Sequence, residues 1–174
     1  HMPLYYLFLK PFAGYSDIVL RLTSVVVGVL AIFAMYFVGK EFSKKVGLYS
    51  AAITSILSFL IYYSQEVRFY SLLFLFSALG LLATIRYIKN SNRQNLLFYL
   101  FSMALILFTH VLGGIFVLFN TLYVTYKKKY FSKKIALGFL LGFLLILPFC
   151  LNIIKMLPTS QWWGHFSYTN ILFL

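Results

Sequence analysis

Glu66 and Arg68 lie in the run Y-Y-S-Q-E-V-R-F-Y-S at 62–71, where two hydrophobic segments meet. A carboxylate and a guanidinium this close can form an ion pair. An ionisable pair at the edge of an apolar segment is costly unless it faces a cavity, a partner or the headgroup region. The pair is therefore a functional-site candidate, and an ordinary helix-end ion pair is the structural alternative. Arg21 stands at the start of another apolar run, where a snorkelling arginine is the structural alternative. His110 lies in the break T-H-V-L-G-G at 109–114, where a histidine that simply ends a helix is the structural alternative. Tyr70 is placed to pack or hydrogen-bond beside the pair. Asp17, the only acid before Glu66, reads as a helix cap rather than a base.

These groups sit in a chain that is 62% apolar, 21% aromatic and only 10% charged, which excludes a soluble monomer. The expected class is an all-α, polytopic integral membrane protein. A net charge of +12 would suggest nucleic acid in a soluble domain. Here it reports orientation, because Lys and Arg collect in cytoplasmic loops, and no nucleic-acid partner is expected. Cys150 is the single cysteine, so the chain has no internal disulfide and no thiolate metal site. No cleavable signal peptide is expected from the first residues. The spacing of histidines and acids gives no dedicated metal site; no cofactor is expected, with a divalent metal left open.

The elements that must position the charged groups follow from hydropathy and charge. One membrane domain over 1–174 is expected, with residues 1–17 as an external interfacial segment, spans within 18–154 and an external segment at 155–174. The first segment is aromatic but too short to span, and Ser16 or Asp17 is placed to cap the first span, 18–39. A second span at 46–63 and a third at 69–88 follow. The uncharged stretch 96–126 is too long for one crossing: about 31 residues would make a helix of roughly 46 Å against a core of about 30 Å. Two short helices turning at Gly113 and Gly114 put the next basic cluster on the same side as the earlier ones. A sixth span at 135–154 then leads to Trp162, Trp163 and His165. Eleven of the fifteen basic residues fall on the inside, in clusters of three, three and five, while Asp17, Glu66, Arg21, Arg68 and all three histidines fall outside.

Four stretches resemble, in order, motifs of the polyprenyl-phosphate-sugar-dependent glycosyltransferases of the GT-C fold. That group includes protein O-mannosyltransferases and lipid A aminoarabinose transferases. H-M-P-L-Y-Y at 1–6 is similar to the family's H-P-P-L-Y-Y, and L-R-L-T-S-V-V-V-G at 20–28 to its L-R-L-P-S-x-x-x-G. Y-Y-S-Q-E-V-R-F-Y-S resembles Y-x-S-Q-E-A-R-x-Y, and T-H-V-L-G at 109–113 resembles T-H-Y-x-G. The likeness covers residues 1 to about 130.

The resemblance implies transfer of a sugar from a polyprenyl-phosphate donor to a protein, lipid or glycan acceptor, with the site facing outside a plasma membrane and membrane lipids as surroundings. Such a displacement needs cations or donors on the phosphate, a base for the acceptor hydroxyl and exclusion of water. By the same resemblance Arg21, Glu66, Arg68, Tyr70, His110 and His1 bind donor or substrate. The family's catalytic acid precedes the H-P-P-L-Y-Y stretch, so the catalytic residue is expected outside this sequence, together with a first helix and a larger carboxy-terminal part. A fragment of this kind is expected to be inactive alone. Two other classes stay open: a non-catalytic scaffold or degenerate family member, and a transporter subunit, which would show discontinuous helices or internal repeats.

Overall fold

The computed structural model describes residues 3–12, 14–111 and 113–128. Every regular element among them is helical. They are α1 (Pro3–Leu9), a 3-10 turn (Lys10–Phe12), α2 (Asp17–Lys40), α3 (Lys44–Ser55), α4 (Ser58–Ser64), α5 (Tyr70–Lys89), α6 (Arg93–Thr109) and α7 (Gly113–Lys128). The expected sixth span at 135–154, the Trp162, Trp163 and His165 region and His1 lie outside the described residues. Valine-rich stretches such as V-V-V-G-V in α2 favour strands in water. In hydrocarbon each backbone amide must be satisfied within its own segment, and that requirement selects helix.

Two helices, α2 and α5, are long and apolar enough to cross a membrane. The α3–α4 pair makes a third if its two pieces count as one span. α5 is the centre of the bundle. Its Leu72, Leu75 and Ala78 share one core with Tyr5 of α1, Val27, Ala31 and Ala34 of α2, and Leu60 of α4. Its Ala83 and Tyr87 share a second core with Tyr99, Met103 and Ile106 of α6 and Val117 and Val124 of α7. Small residues along these seams let backbones approach closely, which replaces the hydrophobic driving force that lipid does not supply. Thr84 donates to Asn120 Oδ1 at 2.6 Å, a buried polar link between α5 and α7. By contrast α2 leaves Ile18, Leu22, Val26 and Phe33 exposed, a face suited to lipid.

Helix direction sorts the charges by end. α2 and α5 finish, and α3 and α6 begin, at one pole, where Glu41 accepts from Arg86 Nε at 2.8 Å and pairs with Lys89 Nζ at 3.0 Å. The Arg86 hydrogen bond is the largest cause holding the Glu41 carboxyl below its ordinary value. Lys128 at the end of α7 donates to Ile88 O at 2.9 Å, tying α7 to the same pole. Arg21, Glu66, Arg68 and His110 gather at the other pole. The expected segregation of the described basic clusters from the mixed groups is therefore present in the fold.

Two local features differ from expectation. The run 46–63 is not one straight helix: α3 and α4 are bent by 60° at Ile56 and Leu57. Thr54 donates to Ser50 O at 2.7 Å and Ser55 to Ala52 O at 2.8 Å. The amides of Ile56 and Leu57 then bond three residues back, to Ile53 O and Thr54 O. Back-bonding hydroxyls and a tightened last turn are established causes of kinks where no proline is present. Ser16 does take the N-cap position of α2 with an extended backbone, but its side chain makes no capping hydrogen bond. The break in 96–126 is as expected, giving helices of 17 and 16 residues. A Cβ on Gly113 would lie 2.8 Å from Ile106 O, so only glycine lets α7 turn so tightly onto the end of α6.

Candidate functional site

The site pole is built from the four sequence stretches. On α2 the positions Arg21, Ser24 and Gly28 are spaced i, i+3 and i+7 and therefore share one face. That face meets the end of α4 and the loop after it. A Cβ on Gly28 would lie 2.9 Å from Ser64 Cβ, so glycine lets the two backbones close. About two turns further out, Arg21 Nη1 donates to Gln65 O at 2.9 Å. The arginine thereby fixes the start of the 65–69 loop, and its other guanidinium N–H groups are not taken by that bond.

The loop itself is short and tightly closed. Gln65 N–H returns to Tyr62 O at 3.1 Å, Arg68 N–H to Glu66 O at 2.9 Å, and Ser71 Oγ donates to Tyr63 O at 2.9 Å across the turn. Arg68 Nε pairs with Glu66 Oε2 at 3.1 Å, with the arginine side chain 60% exposed and the glutamate 26%. An exposed pair contributes only about 0–1 kcal/mol to stability. Its value lies in presenting an oriented guanidinium at the surface of the pole. Glu66 also faces the Tyr62 hydroxyl.

Aromatic rings extend the loop sideways. Tyr63 meets Tyr70 at 4.2 Å between centroids, Tyr70 meets Phe69 at 4.3 Å, and Phe69 stacks on the His110 imidazole at 4.1 Å with the planes 10° apart. His110 follows α6 and accompanies the tight turn into α7, its amide bonded to Ile106 O. Burial of the imidazole lowers its pKa, favouring the neutral ring. The H-M-P-L-Y-Y stretch contributes Tyr5, which is 7% exposed and faces Ser24 on α2.

Arg21, Glu66, Arg68, Tyr70 and His110 are thus brought to one pole; His1 lies outside the described residues. Gln65, Phe69, Tyr63, Ser24 and Tyr5 belong to the same assembly and were not anticipated. The i, i+3, i+7 spacing of Arg21, Ser24 and Gly28 was the available signal for Ser24. Gln65 enters through its backbone carbonyl, which carries no sequence signature. Asp17 is the exposed first residue of α2, where a carboxylate suits the positive end of the helix dipole. Among the described residues no three His, Cys, Asp or Glu side chains gather around a common metal position. The pole offers two guanidinium groups, one carboxylate, a neutral imidazole and phenol hydroxyls, a set suited to gripping a phosphate and the polar groups attached to it.

The family model for dolichyl-phosphate-mannose-protein mannosyltransferases matches residues 3–151, a range that holds the whole of this pole. No curated protein and no solved structure gives a match. Helical spans, a pole of mixed charge opposite a basic one, and a family match over most of the chain agree with one another. The chain belongs to the dolichyl-phosphate-mannose-protein mannosyltransferase family, whose members are membrane glycosyltransferases.

Proposed function

We propose that the protein transfers a sugar from a polyprenyl-phosphate donor to a protein, lipid or glycan acceptor at the external face of a plasma membrane. The single observation that carries this reading is the convergence of Arg21, the Glu66–Arg68 loop and His110 at the pole away from the basic clusters. By the charge rule for membrane loops the basic pole faces the cytoplasm, which turns the mixed pole outward. Six spans, counting α6, α7 and the apolar run 135–154, are part of the same reading.

Arg21 and Arg68 bind the phosphate and offset the charge that builds on it as the bond to the anomeric carbon breaks. Glu66 orients Arg68, Tyr70 supports the loop, and His110 holds the turn beside it or contacts the acceptor. None of these is assigned as the base. No cofactor is required by this scheme, and the described residues supply no metal cage for one.

One observation favours a second reading. The broken α3–α4 pair is the kind of discontinuous helix found in transporters. A membrane assay of the full-length protein with a radiolabelled polyprenyl-phosphate sugar separates the two. Label passing to an acceptor supports the transferase; label crossing the membrane without covalent transfer supports the transporter.

A further inference from the structure

Tyr5 holds a hydroxyl that the fold does not explain. Its ring belongs to the core shared by α2, α4 and α5, and phenylalanine would fill that space equally well. Its Oη is buried and makes no hydrogen bond of normal geometry. Ser24, 4% exposed, is the polar group that faces it. The adjacent Tyr6 is 53% exposed, whereas Tyr5 is 7% exposed. A buried donor without a good acceptor is rare in native structures and marks places where a ligand or water completes the set. Ser24 lies one helical turn from Arg21 on the same face of α2, so Tyr5 faces the side of α2 that carries the cation. Burial pushes the phenol up to about 12, which keeps its proton in place at working pH and makes it a donor rather than a base.

We propose that Tyr5 Oη donates a hydrogen bond to a phosphate oxygen of the lipid-linked donor, beside Arg21 at the seam between α1 and α2. This rests on the donor reading above and adds to it a binding role for the first helix. The phosphate then has two kinds of grip: guanidinium charge from the α2 face and a neutral hydroxyl from α1.

The test uses full-length protein in lipid nanodiscs, with sugar-free polyprenyl phosphate and a polyprenyl-phosphate sugar as the two probes. Tyr5→Phe is expected to keep or raise the thermal midpoint, since it removes a poorly paired buried hydroxyl. It is also expected to weaken binding of both probes about tenfold, as the loss of one hydrogen bond to a charged group does. Wild-type affinity for both probes in the variant overturns the proposal. A loss confined to the sugar-bearing probe overturns the phosphate assignment and moves the hydroxyl to the sugar. If Tyr5→Phe and Ser24→Ala each lower the midpoint equally and leave binding unchanged, the hydroxyl only links α1 to α2 and the proposal fails. Wild-type protein that binds neither probe overturns the donor reading itself, and the proposal with it.

Discussion

His110 lies flat on Phe69, with ring centroids 4.1 Å apart and planes inclined by 10°, so the turn between α6 and α7 is pinned to the loop that carries Glu66 and Arg68. The stack joins two stretches about forty residues apart, and it places a titratable ring in a partly buried position. Burial lowers the His110 pKa from its ordinary 6.5, so the folded state prefers the neutral form. The unfolded chain therefore binds a proton first as pH falls. Stability from this group is present above 6.5 and is lost as pH drops through the lower, folded value. Thermal midpoints measured from pH 8 to pH 5 should fall on the acid side in the wild type. His110→Phe, which keeps a stacking ring, should flatten that part of the curve; an unchanged acid slope would remove His110 as its source.

Arg68→Ala in the full-length protein should lower transfer about 10²- to 10³-fold, the scale seen when a charge-stabilising donor is removed. Expression and folding should be intact, because the pair with Glu66 is exposed and contributes at most about 1 kcal/mol. Turnover at the wild-type rate would take Arg68 out of the site.

Gly28→Ala should destabilise the protein by about 1–3 kcal/mol, since the added methyl would stand 2.9 Å from Ser64 Cβ. Cβ is bound directly to the backbone, so α4 must move as a body and carry Gln65 away from Arg21. The double variant Gly28→Ala, Ser64→Gly should recover part of the lost thermal midpoint. A double variant no better than the single one would mean that the two helices are not limited by this contact.

Glu41→Gln should act at the opposite pole. The native carboxylate is held in its charged form, first by the Arg86 hydrogen bond and then by Lys89, so its pKa lies below 4.5. Its stabilisation is present above 4.5 and is lost as pH falls through the depressed folded value. Replacing it should cost about 1 kcal/mol at neutral pH and remove that acid-side loss, both read from denaturation at several pH values. Donor binding should be unchanged, because Glu41 lies at the far end of α2 from Arg21; a large change in affinity would show that the two poles are coupled.

Much of the architecture was legible along the chain. The runs 18–39 and 69–88 coincide with α2 and α5 because a bilayer leaves an apolar segment of that length no alternative to helix. The break at 109–114 was readable from length and charge, and Gly113 supplies its turn. The kink at Ile56 and Leu57 was not, because Ser and Thr bend a helix only when their hydroxyls turn back onto the backbone, and rotamers are not written in the sequence.

The site divides in the same way. By itself the sequence determined which residues could serve: Arg21, Glu66, Arg68, Tyr70 and His110 are ionisable or polar groups stranded in oil, where their cost marks them. Only the tertiary structure decided that they meet. Arg21 reaches the loop through the carbonyl of Gln65, His110 reaches it through the face of Phe69, and Tyr5 enters from a helix that the sequence read as a surface segment. Backbone acceptors, ring faces and the crossing of helices have no signature in residue type. They arise when α2, α4, α5 and α6 pack around shared small residues and bring distant positions within a few ångströms.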